Sequence, residues 1–300
     1  MQNTKRCSII ITGSHGFTGS VITTSLLKVK DLDVIVPSKR QLDITNQESV
    51  AKFLRQTKPE IIINFASFTN IEEAEKQRNN IDALVWKTNV IGVINLAKIC
   101  KKLHIFLIHV SSDAIFPGTQ DFPGPYAEQT TAPNNSKNLT WYAYTKLKGE
   151  QGLSKIKADS AIIRISYPFG NLESSKDFSV KTERYIRQGI ELFFDQYLTP
   201  TYLPDLYLAL IEIINKKFNG VFHVACRNIT TPYKFALYVS EKINFDNRQI
   251  KKGSIHNYHI SKKSLRRSQF GGLETTWTQK KLRVNFHGWK RAIDKLYAQK

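Results

Sequence analysis

Residues 7–29 read CSIIITGSHGFTGSVITTSLLKV, and their reading decides the fold. Cys7–Thr12 has the length and isoleucine content of a short buried strand. Three glycines follow at a G-x-x-G-x-x-G spacing, Gly13, Gly16 and Gly19, and then comes the apolar periodicity of a helix. Strand, glycine turn and helix start in that order form a dinucleotide site. Glycines let the backbone approach a pyrophosphate, and the helix N-terminus favours its charge. The spacing is not the G-x-G-x-x-G of the standard fingerprint. The expected cofactor contacts of the turn are Gly13, His15, Gly16, Phe17, Thr18 and Gly19.

Working outward, residues 33–36 read as a second strand. An NAD site wants an acid at the carboxyl end of that strand, and Asp33 lies at the other end. The carboxyl end instead runs into Pro37, Ser38, Lys39 and Arg40. Two cations there suit a 2′-phosphate, so NADPH is the expected cofactor and NADH the second choice. Asp43 and Ile44 are placed near the adenine edge, with Thr45 or Asn46 as cap of the next helix. Residues 60–64 form a third strand ending in Phe65, Ala66 and Ser67, a turn expected to line the cofactor. A long helix over about 80–103 carries Asn89, read as a buried polar anchor and counted with the cofactor contacts. Residues 104–111 form a fourth strand that ends in Ser111, Ser112, Asp113 and Ala114. A hydroxyl at this end can polarise a substrate carbonyl, whereas His109 inside the strand reads as structural.

The loop 116–139 leads to TWYAYTKLKGE, residues 140–150. On a helix, Tyr142 and Lys146 share a face. A neighbouring ammonium favours phenolate and makes the phenol a usable proton donor. Tyr144 and Lys148 offer the same spacing, and spacing does not choose between them. Residues 160–166 are a fifth strand, followed by Tyr167. Five strands alternating with helices predict an α/β fold, a doubly wound parallel Rossmann sheet with a smaller C-terminal substrate-binding lobe. The later chain reads as a helix over 181–190, a short strand over 191–194, a helix over 203–215, a strand over 220–224 and a helix over 233–243. A basic loop over 249–272 and a terminal helix over 289–297 complete it. The expected boundaries are 1–166 plus about 220–247 for the NAD(P)-binding domain, and about 167–219 with 248–300 for the lobe.

Composition narrows the class. The 300 residues are 41% hydrophobic and 23% charged, as in ordinary globular enzymes. No apolar run approaches the ~20 residues of a membrane span. Cys7, Cys100 and Cys226 show neither a disulfide framework nor zinc spacing, so a reducing cytoplasm is the expected location and no metal site is assigned. The formal charge of +19 is spread along the chain. Solvated lysines explain it first and steering of an anionic substrate second. No nucleic-acid recognition motif accompanies it.

The ordered motifs resemble the extended short-chain dehydrogenase/reductase superfamily. They are the glycine turn, N-F-A-S at 64–67, S-S-D at 111–113, Y-x-x-T-K-x-x-x-E at 142–150 and R-I-S-Y-P-F-G at 164–170. Within it the chain is similar to the TDP-4-dehydrorhamnose reductase family, through PEIIINFASFTNIEEAE at 59–75, D-Q-x-x-x-P-T at 195–201, GVFHVA at 220–225 and the Arg266–Arg267 pair. The resemblance covers essentially the whole chain. It selects Tyr142 over Tyr144, since Thr145 precedes Lys146 and Glu150 follows. It implies catalysis by Ser112, Tyr142 and Lys146, with Tyr142, Lys146 and Tyr167 also touching the cofactor. It implies a sugar pocket containing Ser112, Asp113, Ala114, Gln196, Pro200 and Arg267.

The implied activity is NAD(P)H-dependent reduction of a nucleotide-linked 4-keto-6-deoxy sugar, in dTDP-L-rhamnose or polysaccharide-precursor synthesis. Related dehydratases carry Glu, and epimerase-reductases Cys, at the position of Ala114, so the comparison favours plain ketone reduction. The chain departs from the family at Leu198, Ser268, Phe270 and Gly271, and by about five extra residues around 134–139. A homodimer and an assisting Mg²⁺ occur among relatives, and the sequence shows no ligand set for the ion. The alternatives are a regulatory binding protein like the β subunit of methionine adenosyltransferase, or another nucleotide-sugar reductase or epimerase.

Overall fold

The computed structural model describes residues 6–261 and 267–298. Arg266, paired with Arg267 in the sequence reading, lies outside the described residues, as do Lys262 and Lys263. Contacts divide the chain into two compact units. The first is Met1–Ser112, Thr140–Ile163 and Ile211–Val221; the second is Asp113–Leu139, Arg164–Leu210 and Phe222–Lys300. This division differs from the one drawn on the sequence. Residues 113–139 go with the second unit, and of 220–247 only residues 220–221 go with the first.

The first unit is built on parallel pairing. Strand β1 (Cys7–Thr12) pairs with β2 (Leu32–Ile35) on one side and β3 (Ile61–Asn64) on the other, and β3 pairs with β4 (Phe106–Ser112). With β5 (Ser160–Ile165) and β7 (Gly220–Val224) the sheet order is β2-β1-β3-β4-β5-β7. Ile9–Ile11 and Ile61–Ile63 have no exposed surface, as parallel strands covered on both faces require. The chain steps from β1 to β2 and then crosses to β3. The β1/β3 crevice is therefore the topological switch point, where doubly wound sheets bind ligands. Helix α1 (Phe17–Leu26) leaves that crevice, and α2 (Gln47–Thr57) starts from Asn46, whose side chain accepts the Glu48 and Ser49 N–H groups. Of the two caps predicted, Asn46 is the one used.

The single helix predicted over 80–103 is broken. A one-turn α4 (Leu84–Trp86) passes into a π-helical turn, Lys87–Ile91, before α5 (Gly92–Leu103). The short α3 (Ile71–Lys76), not predicted as a helix, begins at an Asn70 cap. The π-turn brings the Asn89 carbonyl against α6 (Trp141–Ile156), where a Cβ on Gly149 would stand 2.3 Å from that oxygen. Single π-turns of this kind gather at functional sites.

The second unit has its own core, with Phe169, Phe235, Trp289 and Ile293 among its buried residues. Around it lie α7 (Phe178–Arg187), α9 (Pro232–Lys242) and α12 (Trp289–Tyr297). Helix α12 buries Trp289, Ala292, Ile293 and Leu296, an i, i+3, i+4, i+7 face. Helix α8 (Leu203–Lys216) leads from this unit back to the first. The basic stretch 249–272, predicted as loop, contains β8 (Lys252–Gly253), paired in parallel with β6 (Leu192–Phe193), and α10 (Ile255–Ser261). Its helix start is reinforced from a distance. Asp195 accepts from Ser254 Oγ at 2.6 Å and from the Ile255 N–H at 2.7 Å, reinforcing a local Ser254 cap whose hydroxyl accepts the Asn257 N–H at 3.4 Å. Helix α11 (Thr276–Leu282) was likewise not predicted.

Helix propensity favours alanine over glycine, by about 1 kcal/mol. Gly149 should contradict that trend. Gly149→Ala is expected to lose about 1–3 kcal/mol in urea denaturation through the backbone clash. Gly152→Ala, which meets only the movable tip of Ile94, is expected to lose less.

Candidate active site

The glycine turn closes tightly on the end of β3. Gly13 has φ +70°, and a Cβ on it would stand 2.3 Å from the Ala66 nitrogen. A Cβ on Gly19 would stand 2.3 Å from the Gly13 carbonyl oxygen. Only glycine fits at either place. Helix α1 begins at Gly16 without a side-chain cap, which leaves its first N–H groups for an anion. The residues present thus fit a dinucleotide. Phe17 and Thr18 are half-buried in the first turn, and His15 is exposed, its Nδ1 3.2 Å from Ser14 Oγ. Lys39 and Arg40 are exposed in the turn after β2. Asp43 is engaged locally, accepting from the Thr45 N–H and hydroxyl. Ile44 is buried, and its carbonyl accepts from Asn95 Nδ2 at 3.0 Å.

A polar row crosses the carboxyl ends of the central strands. Thr12 Oγ1 donates to Asn64 Oδ1 at 2.6 Å, and that oxygen also accepts the Ala66 N–H at 3.1 Å. Asn64 therefore turns its amide nitrogen to His109 Nδ1, 3.1 Å away. Nδ1 must accept, which assigns the imidazole proton to Nε2. Burial, and then the Lys146 charge, hold His109 far below the usual imidazole range. His109 is fully buried, with Nδ1 engaged by Asn64.

Asn89 is a complete anchor. Its Oδ1 accepts from Ser67 Oγ (3.0 Å) and the Phe68 N–H (2.8 Å). Its Nδ2 donates to the Phe68 carbonyl (3.1 Å) and Thr145 Oγ1 (3.0 Å). All four of its hydrogen-bonding positions are filled within the protein. The Thr145 hydroxyl in turn donates to the Tyr142 carbonyl at 2.8 Å. Phe65, Ala66 and Ser67 are half-buried along this turn.

Tyr142 and Lys146 lie on α6, whose cap Thr140 accepts the Ala143 N–H. Tyr142 is half-buried and Lys146 is 2% exposed. The Lys146 ammonium donates to the Val110 carbonyl at 2.8 Å. Val110 stands two residues before Ser112 on β4, so the bond ties the lysine to the strand that ends in the Ser112 hydroxyl. Burial pulls the Lys146 pKa down to about 8, against the opposing pull of Glu150.

In the second unit, Gln196 Nε2 donates to Tyr167 Oη and to the Ser268 carbonyl, each at 3.1 Å. Burial and the Asp113 charge raise the Tyr167 phenol to about 12, against Arg267 and the Gln196 bond. Asp113 accepts from Ser166 Oγ at 2.6 Å. Ala114 is half-buried in a 3₁₀ turn, Asp113–Ile115. Arg267 is exposed, with its guanidinium 5.4 Å from the Tyr258 ring centre. Pro200 is buried and its carbonyl accepts the Cys226 N–H. Among the described residues no cluster of three or more His, Cys, Asp or Glu is placed for a metal, and no helix is long and apolar enough to cross a membrane.

A glycine turn on a doubly wound sheet, a serine ending the fourth strand and a Tyr-x-x-x-Lys helix are the parts of an extended short-chain dehydrogenase/reductase. The chain belongs to the family described as the RmlD substrate binding domain, whose profile matches residues 7–300. It is 31% identical over 248 residues to the dTDP-4-dehydrorhamnose reductase of Mycolicibacterium smegmatis, covering 81% of this chain and 71% of that one. It is 30% identical over 231 residues to the dTDP-4-keto-6-deoxy-D-glucose reductase of Streptomyces niveus, covering 76% and 75%. Its fold matches that of the Bacillus anthracis dTDP-4-dehydrorhamnose reductase in complex with NADP, at TM-score 0.85, 24% identity and coverage of 98% and 100%.

The depressed lysine has a thermodynamic signature. Between pH of about 8 and 10.5 the folded protein holds Lys146 neutral, while the unfolded chain still binds its proton. Stability then rises with pH across that window, and the cost of the buried charge is full below it. Urea melts of wild type and Lys146→Met should show the wild type gaining on the variant as pH rises from 8 to 10.

Proposed function

We propose that this protein is an NADPH-dependent reductase of a dTDP-linked 4-keto-6-deoxy sugar, acting in the formation of a dTDP-rhamnose type product. The observation that carries the reading is the buried Lys146 ammonium, bonded to the strand that ends in Ser112 and lying one helical turn from Tyr142. A non-catalytic binding protein has no need to keep a charged lysine at 2% exposure.

Held at the Gly13–Gly19 turn, NADPH would supply hydride chemistry for reduction of the sugar C4 carbonyl. Ser112 donates a hydrogen bond to the carbonyl oxygen as negative charge develops there. Tyr142 gives its phenolic proton to that oxygen, completing the alcohol. The phenolate left behind is stabilised by Lys146, whose charge is little screened in its buried setting. Lys39 and Arg40 are the residues to receive a 2′-phosphate, as two cations where an NAD site would carry an acid. Gln196, Pro200 and Arg267 belong to the sugar-nucleotide side, and Tyr167 to the cofactor side. The charge of +19 favours encounter with a diphosphate.

The test is NADPH oxidation with dTDP-4-dehydrorhamnose, run beside Tyr142→Phe. Wild type should turn over, with NADPH preferred to NADH. The variant should lose about 10²–10⁴-fold in kcat while melting like wild type. A wild type inert toward every dTDP-4-keto sugar would overturn the reading.

A further inference from the structure

Tyr142 stands in the first turn of α6, where a helix most readily frays or shifts. Its neighbour Trp141 is the first residue of that helix. The Trp141 N–H is not left to solvent. It donates to Glu75 Oε1, at 2.5 Å, from a carboxylate on α3 far away in sequence. Glu75 is itself gripped by a two-pronged ion pair. Arg78 Nε donates to its Oε2 at 2.8 Å and Nη2 to its Oε1 at 3.0 Å. The carboxylate is 17% exposed, so this is not a solvent-screened surface pair.

The same arginine covers the indole of Trp141, with its guanidinium carbon 5.7 Å from the ring centre. On its other sides Trp141 stacks with Trp86 (5.7 Å) and Tyr144 (5.4 Å). Its Nε1 is buried with no hydrogen-bond partner among the described residues. The indole nitrogen therefore does not locate this residue. Stacking holds the ring, and Glu75 holds the backbone. Tyr142 packs against the same small aromatic cluster.

We propose that Glu75 is a positioning residue for catalysis: its carboxylate, oriented by Arg78, sets where α6 begins and so where the Tyr142 hydroxyl stands. The inference rests on the reductase reading above. The geometry gives Glu75 a distinct task. Asn89 holds the Tyr142 carbonyl through Thr145, from the C-terminal side. Glu75 holds the N–H of Trp141, the residue before Tyr142, from the N-terminal side. Both grips come from the segment between β3 and α5, so one stretch of chain locates the tyrosine at two points. Arg78 balances the charge of the carboxylate through its two-pronged pair. A lysine would keep that charge without the fork geometry.

Displacing a reacting group by about 1 Å can cost ~10²-fold in rate. Glu75→Ala should accordingly lower kcat about 10- to 100-fold. KM for the keto-sugar and the dissociation constant for NADPH should stay within about twofold, because the glycine turn is untouched. Glu75→Gln, which keeps an oxygen for the Trp141 N–H, should recover most of the lost kcat. Glu73→Gln, on the exposed face of the same helix, serves as the control and should match wild type. Melting curves check that each variant is folded. Should Glu75→Ala prove misfolded, the comparison of Glu75→Gln with Arg78→Lys decides: the glutamine variant should retain more kcat than the lysine variant, at wild-type KM. A folded Glu75→Ala with wild-type kcat, or a loss confined to KM, overturns the inference and leaves the reductase reading standing. An inert wild type overturns both.

Discussion

One buried ammonium constrains the first unit more than any other group. Lys146 would be intolerable at 2% exposure without a partner, and the partner is the Val110 carbonyl at 2.8 Å. That bond obliges α6 to lie along β4 with its first turn near the strand's carboxyl end. Ser112 and Tyr142 are thereby brought to the same end of the sheet. Gly149 is the steric condition for the arrangement, since it lets the helix backbone meet the Asn89 carbonyl. The buried lysine and the packing glycine are two requirements of one helix placement.

The polar row Thr12–Asn64–His109 is a second consequence of strand register. The three residues are direct neighbours on β1, β3 and β4, and burial, then the Lys146 charge, holds the histidine neutral. The site can then hold a single positive charge, that of Lys146, without a competing imidazolium beside it. The same register brings Gly13 and Ala66 into contact at the switch point, where only glycine can stand. The glycine turn and the helix of Tyr142 and Lys146 thus meet the same group of strands.

Much of this was legible in the sequence because it is local. The Ile-rich strands and the glycine turn announce themselves by period and composition, and the terminal helix falls at the residues predicted from its apolar face. Tyr142 was chosen over Tyr144 by the Thr145 and Glu150 register of a resembling family, which spacing alone could not do. What escaped depends on partners distant in the chain. The start of helix α10 is reinforced by Asp195, some sixty residues away, inside a stretch whose basic composition reads as loop. The π-turn at Asn89 exists because its side chain is satisfied by Phe68 and Thr145, neither of which is near it in sequence. Glu75 was quoted only as part of a motif, and its bond to Trp141 spans 66 residues. Helical periodicity contains no trace of these bonds. The second unit was outlined in sequence by its elements, and its edges moved because residues 113–139 pack with the later chain.

The central claim is that this site moves a hydride to a sugar ketone and lets Tyr142 complete the alcohol. The most direct measurement is a turnover with NADPH deuterated at the transferable position of C4 of its nicotinamide, with dTDP-4-dehydrorhamnose as acceptor, read by mass spectrometry and NMR of the sugar. The account predicts one deuterium per product molecule, located at sugar C4. An unlabelled alcohol, or an unchanged ketone with oxidised cofactor, would contradict it.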